Sequence, residues 1–352
     1  MKKTAAYAAV SAQSQLAPHT IERRDPGPHE VSIDILFCGV CHSDVHEVRN
    51  EWGGSIYPMV PGHEIIGTIV KTGPQVVKWQ VGDTVGVGYF IDSCRICDAC
   101  EEGEEQYCEA GINTTFNGHE RDGKTPTYGG FSTAITVNED YVVRIPGGLP
   151  LERMAPLLCA GITTYSPLRH FGVKACDDVA VVGLGGLGHM GVKIAKAMGA
   201  KVTVISHSPG KRADALALGA DDFIATSEKG AFEANARRFN FILDTISAQH
   251  DYNAYLGLLR RNGRMVLVGI PDPVPLSASS LIFQRRSLSG SLIGGIRETQ
   301  EMLDFCAEHG VLADVEVIPI QKINEAYERM LKSDVHYRFV IDMDSLKGPC
   351  SV

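Results

Sequence analysis

Residues 39–47, GVCHSDVHE, place a thiol (Cys41), a hydroxyl (Ser43), a carboxylate (Asp44) and two imidazoles (His42, His46) within nine positions. Cysteine is a soft, anionic metal ligand, and Ser and His move protons. A metal ligand beside a proton relay is the outline of a reaction centre. The same residues also describe a buried thiol next to a surface histidine, and the stretch alone does not choose between them. Its glycine and its alternation of small and polar residues predict a bend after a strand rather than a packed helix. A second group is Cys94, Cys97, Cys100 and Cys108. Three cysteines at intervals of three and a fourth eight further on suit one tetrahedral zinc with a closed, structural shell. An iron–sulfur cluster is the competing reading. The neighbouring Glu101, Glu102, Glu104 and Glu105 read as the solvated face of that loop.

A third group is Gly183, Gly185, Gly186 and Gly188, with Leu187 in the same turn. It fits GxGxxG, follows an apolar strand (VAVV), opens a helix, and leads to a second strand at βαβ spacing. Such glycines let the backbone approach a pyrophosphate, and the helix N-terminus supplies N–H donors. An Asp or Glu at the end of the second strand would bind a ribose 2′-hydroxyl. Here stand Ser206, His207 and Ser208, then Lys211 and Arg212. Hydroxyls and two cations favour a 2′-phosphate, and so NADP over NAD.

These groups need elements to hold them. The chain has 352 residues, 44% of them apolar, which allows two domains of ordinary size. Up to about residue 150 the pattern is short strands (31–40, 64–73, 81–90, 131–146) divided by Gly/Pro turns, which predicts a β-rich domain. Beyond it, strand and helix alternate. Strands are expected at 221–226, 239–246, 263–270 and 287–295, with helices at 211–218, 229–237 and 250–260. This is an α/β pattern with a doubly wound parallel sheet. Residues 297–352 read helix, strand, helix, strand and are expected to return to the first domain. The net charge of −9 argues against a general nucleic-acid surface. The N-terminal apolar run is broken by Tyr7, Ser11, Gln13 and Ser14, and reads as a strand rather than an export signal. No stretch reaches the ~18 apolar residues of a membrane span. A cytoplasmic location is expected, with the ten cysteines as ligands or free thiols rather than disulfides.

With GVCHSD, PGHE, the cysteine lobe, LLCAGIT, GLGGLGH and GSLIGG in order, the whole chain resembles the zinc-dependent medium-chain alcohol dehydrogenases, cinnamyl alcohol dehydrogenase-like branch. The resemblance implies a GroES-like catalytic domain (1–150 and 296–352, with the zinc lobe at 92–108) and a Rossmann NADP-binding domain (151–295). It implies two zinc ions per chain. The catalytic zinc would be held by Cys41, His63 and Cys159, with Glu64 as an alternative ligand. Two thiolates and an imidazole leave a fourth position for substrate. Zinc would lower the pKa of an alcohol, and hydride would pass to NADP; an aldehyde and NADPH would run the reverse. Ser43 would touch the alcohol and His46 would pass its proton on, with Asp44 a candidate to orient a ligand. Thr163, Val268, Gly269, Ile270, Ser291 and Ile293 would lie along the nicotinamide and its ribose. Trp52, Tyr89, Phe90 and Ile293 would line an apolar pocket for aromatic and medium-chain aldehydes. Cys38, Cys176, Cys306 and Cys350 match no ligand position and read as free thiols. A homodimer joined through Rossmann edge strands is also implied. Two rivals remain: a polyol dehydrogenase, which would favour an acid at the ribose position, and a non-catalytic relative, which would have lost part of the ligand or relay set.

Overall fold

The computed structural model describes residues 1–347, so Cys350 lies outside the described residues. The chain forms two units. The first comprises Met1–Cys159, Gly294–Ala307 and Leu312–Val352; the second comprises Ala160–Ile293 and Glu308–Val311.

The first unit is built on a mixed sheet. Its order is Val315–Pro319, Arg338–Asp342, Glu30–Val40, Ile65–Thr72, Thr84–Val87, Val143–Arg144, and Ala134–Asn138 also pairs with Glu30–Val40. Along Glu30–Val40 the side chains alternate, with Val31, Ile33 and Ile35 buried, as one buried face requires. A register shift between Ile35 and Phe37 then changes the parity, and residues 38–41 are all buried. That bulge carries Cys41 into the interior. The core here includes Ile65, Ile66, Ile69, Val85, Phe131, Ile135 and Phe339, each fully buried, a gain of about 1.5–3 kcal/mol per side chain.

The second unit is a six-stranded parallel sheet: Asp222–Ala225, Lys201–Ser206, Asp178–Val182, Phe239–Asp244, Leu259–Leu267, Ser287–Gly290. In order of appearance this is 3-2-1-4-5-6, the doubly wound arrangement. Val179 to Val182 are buried on both faces, as parallel strands under crossover helices must be.

The expected boundary at 150 moves to 159. Met154, Ala155, Leu157 and Leu158 are buried, and the Leu158 methyls would lie only 3.0–3.1 Å from a Cβ placed on Gly86 of the first sheet. The apolar side chains of 151–159 thus seal the first unit before the chain leaves it. The other boundary falls at 293 rather than 295. Among the described residues, no helix is long and apolar enough to cross a membrane.

Candidate metal and dinucleotide sites

The bend expected at 39–47 is an α-helix, His42–Val48. Cysteine is a poor N-cap signal, which hides the helix start. The start is secured from the other side: the Asp44 carboxylate, at the third helical position, accepts the Cys41 N–H at 2.8 Å. This is one half of a capping box. Asp44 is completely buried and also accepts the Gly62 N–H (3.0 Å) and Nδ1–H of His63 (3.1 Å). One carboxylate therefore starts the helix, fixes the turn before the strand Ile65–Thr72, and sets the tautomer of His63.

With Nδ1 committed as donor, His63 turns its Nε2 lone pair inward, and that atom is buried without a partner. The ring is held edge-on by Tyr89 (5.4 Å) and stacked on Phe116 (5.8 Å). Cys41, His63, Glu64 and Cys159 each present one ligand atom, all within 4.8 Å of one another, and all four residues are buried. The two thiol sulfurs are 3.8 Å apart. Glu64 accepts a hydrogen bond from the buried Arg338 on Oε1, and its Oε2 has no partner. Orphaned, convergent, soft and anionic donors fit a divalent cation such as zinc.

The electrostatics agree. The Cys159 thiol hydrogen-bonds to Cys41 and holds its pKa well below the usual thiol value, with Arg338 and His63 adding to the effect against the opposition of burial. Cys159, which keeps that proton, is pushed well up by the same bond and by burial. Burial drives Glu64 up to about 7 against the pull of Arg338. Burial disfavours a charged His63, but Asp44 and Cys41 outweigh it and its pKa is raised. A cation at Nε2 would displace that proton.

Ser43 Oγ lies 3.6 Å from Cys41 Sγ. One turn on, His46 is half-buried, its Nδ1 2.5 Å from Glu51 Oε2 and its ring stacked at 4.8 Å on the exposed Trp52. His42 is exposed, its ring 6.3 Å from that of His46. Tyr89 faces the cluster. Phe90, one residue on, does not: its ring is buried against Tyr141 at 5.8 Å, on the side of the cysteine lobe. Phe90 is thus core rather than pocket lining. Ile293 belongs to the second unit, with φ +35°. Arg338, Phe116 and Glu51 were not singled out from the sequence. Arg338 sits in an ordinary strand pattern, and only pairing with Glu30–Val40 brings it to Glu64.

The lobe cysteines Cys94, Cys97, Cys100 and Cys108 also present ligand atoms within 4.8 Å of one another. Cys108 Sγ accepts the Cys94 N–H at 3.3 Å, and Ser93 Oγ lies 3.1 Å from Cys100 Sγ. Cys38, Cys176 and Cys306 are free thiols in neither group.

In the second unit, Gly183 ends the strand Asp178–Val182 with φ +91°, a value glycine adopts at low cost. A Cβ on Gly188 would strike the Gly183 carbonyl, whereas one on Gly185 would meet open space. The turn is therefore closed inside and clear outside, as a pyrophosphate cradle requires, and Gly186 and Leu187 complete it before the helix Gly188–Ala197. Ser206 ends the next strand. His207 and Ser208 follow, exposed, and Ser206 Oγ accepts the Ser208 N–H at 3.4 Å. Lys211 Nζ reaches back 2.9 Å to the Leu184 carbonyl, and Arg212 lies over Phe223 at 5.1 Å. Val268 N–H bonds the Asp244 carbonyl, Ser291 N–H bonds the Leu267 carbonyl, Ile270 is 67% exposed, and Thr163 is buried. A Cβ on Gly269 would strike the Ile246 backbone.

Residues 27–147 match the family described as alcohol dehydrogenase GroES-like domain, and residues 186–308 match zinc-binding dehydrogenase. The chain is 57% identical over 99% of its length, and 100% of the relative's, to NADP-dependent alcohol dehydrogenase C 1 of Mycolicibacterium smegmatis. A cinnamyl alcohol dehydrogenase structure from Sorghum bicolor superposes with TM-score 0.95 at 47% identity, covering 97% of this chain and 98% of that one. One from Helicobacter pylori, complexed with NADP(H), gives 0.91 at 41% identity, covering 97% and 98%. The chain belongs to the zinc-dependent medium-chain alcohol dehydrogenases, in the branch similar to cinnamyl alcohol dehydrogenases.

Proposed function

We propose that this chain is an NADP-dependent alcohol dehydrogenase and aldehyde reductase whose zinc is held by Cys41, His63 and Cys159, with Glu64 as exchange ligand. The observation that carries the assignment is the buried, partnerless Nε2 of His63, aimed at two sulfurs and a free carboxylate oxygen. When bound, zinc supplies a Lewis acid that lowers the pKa of the substrate hydroxyl, and NADP supplies the hydride acceptor. Asp44 keeps His63 in the ligating tautomer. Ser43, beside the Cys41 sulfur, takes the substrate proton, and His46 carries it toward solvent with Glu51 holding the ring. In the reductive direction the same groups return the proton.

Trp52 and Tyr89, both of the first unit, supply apolar lining for the substrate, which favours aromatic and medium-chain aldehydes. The glycines 183, 185, 186 and 188 take the pyrophosphate, Ser206, His207, Ser208, Lys211 and Arg212 the 2′-phosphate, and Thr163, Val268, Gly269, Ile270, Ser291 and Ile293 the nicotinamide half. The lobe cysteines take a second, structural zinc. The sheet edge Ser287–Gly290, with exposed Ile282 and Phe283 nearby in sequence, supports a homodimer. The cytoplasm is the compartment in which these thiols stay reduced. The test is twofold. Metal analysis should find two zinc ions per chain, and NADPH should outperform NADH with cinnamaldehyde. One zinc or fewer, or a preference for NADH, overturns the reading.

A further inference from the structure

The loop 245–251 joins the end of the strand Phe239–Asp244 to the helix Tyr252–Leu258. It leaves the sheet at its switch point, between strands one and four in the 3-2-1-4-5-6 order, where dinucleotides bind in such sheets. The loop leans on both turns assigned to the cofactor. Thr245 donates to the Val182 carbonyl through N–H (3.0 Å) and Oγ1 (2.8 Å). Its Oγ1 would lie 2.9 Å from a Cβ on Gly183, and the Ile246 backbone excludes one on Gly269.

His250 closes this loop. Its Nδ1 lies 2.8 Å from the Ala248 carbonyl and its Nε2 2.7 Å from Asp244 Oδ2. A carbonyl only accepts, so Nδ1 carries hydrogen. The Asp244 carboxylate also accepts the Ile246 N–H at 3.1 Å, so it too acts as an acceptor. With acceptors on both nitrogens, the ring is complete only as the imidazolium. Tyr252 and Tyr255 set their rings against it at 5.0 and 5.2 Å, nearly at right angles. The His250 side chain is 11% exposed and that of Asp244 only 1%.

We propose that His250 is a positioning residue for the dinucleotide: as an imidazolium clasped by Asp244 and the Ala248 carbonyl, it holds loop 245–251 against the turns at 183–188 and 268–270. This rests on reading those turns as the cofactor site. The titratable groups facing the ring are Asp244 from the strand, Asp251 at the helix start, and the Tyr252 and Tyr255 phenols from the helix. Burial and Asp244 push Tyr255 up to about 12, so it stays neutral. Burial opposes a charge on His250, but the Asp244 and Ala248 bonds outweigh it and raise its pKa above 6.5. The clasp is therefore complete below pH 6.5 and is released as pH rises through the higher value. Because it acts on the turns and not on the 2′-phosphate, NAD and NADP feel it alike.

The experiment measures dissociation constants of NADP⁺ and NAD⁺ from pH 6 to 9 for the zinc-loaded enzyme and His250→Gln. At pH 6 the variant should bind both about 5-fold more weakly, a typical coupling between linked sites. The gap should close toward pH 9. An equal ratio at every pH, or a gap for NADP⁺ alone, overturns the proposal. In the unaltered enzyme, binding must by reciprocity raise the His250 imidazole pKa by the logarithm of the same factor, about 0.7 unit by NMR; no shift on saturation also overturns it. If neither dinucleotide binds the unaltered enzyme, the cofactor reading itself falls.

Discussion

Asp44→Asn tests how the buried cluster is held. The carboxylate accepts three hydrogen bonds: Oδ2 from Cys41 N–H, and Oδ1 from Gly62 N–H and His63 Nδ1–H. An amide of the same size has one oxygen. Placed at Oδ1 it keeps two partners and turns its NH₂ on the Cys41 N–H, so one bond is lost and two donors face each other. Hydrogen bonds to charged groups contribute about 1.5–3 kcal/mol each, and stranding a buried donor costs about 1–3 kcal/mol. The variant should lose roughly 2–4 kcal/mol of unfolding free energy. Metal ligands that lose such an orienting partner weaken about 10–100-fold in affinity. Zinc should therefore leave the Cys41/His63/Cys159 site at 10–100-fold lower chelator concentration, while the zinc of the cysteine lobe stays. Competition with a chromophoric chelator resolves the two releases. An unchanged first release, or equal weakening of both, would refute the role given to Asp44.

Two other perturbations follow from the same geometry. In zinc-free protein, Glu64 titrates near 7 when folded against 4.5 ordinarily. The unfolded chain gives up this proton first, so stability falls as pH rises from 4.5 to 7, and Arg338→Met should steepen the fall and lower the melting temperature throughout. In thermal scans across that range, a flat or rising profile would refute the raised Glu64, and an Arg338→Met profile no steeper than that of the unaltered protein would refute the neutralising role of Arg338. Gly188→Ala puts a methyl on the Gly183 carbonyl, so NADPH affinity by fluorescence titration should fall at least ~10-fold, beyond a ~1–3 kcal/mol loss of stability.

The sequence was most readable where chemistry is local. Four cysteines spaced for one ion, and glycines between a strand and a helix, announce themselves because each residue's reason lies within a few positions of it. The helix His42–Val48 was not readable, because its N-cap is a cysteine and its start depends on Asp44, whose other partners are 18 and 19 residues away. Phe90 was misread because neighbouring residues face opposite ways, and only the fold shows that Tyr89 has the side toward His63. Arg338 carried no signal at all. A strand arginine reads as an exposed residue until its neighbour across the sheet is known, and here that neighbourhood includes a buried carboxylate 274 positions earlier.

That separation has a consequence for how the protein is made. Synthesis at about 5–20 residues per second leaves Glu64 waiting roughly 14–55 s for Arg338 to be added. During that time the strand Glu30–Val40 lacks its partner Arg338–Asp342. The second unit is nearly continuous in the chain and has all six of its strands by residue 290. The order of emergence thus favours the dinucleotide unit maturing while the metal-binding unit is still open. The counter-charge for its buried carboxylate arrives only with the strand Arg338–Asp342, so a ribosome that stops before residue 338 releases an acid-bearing core without the arginine that neutralises it.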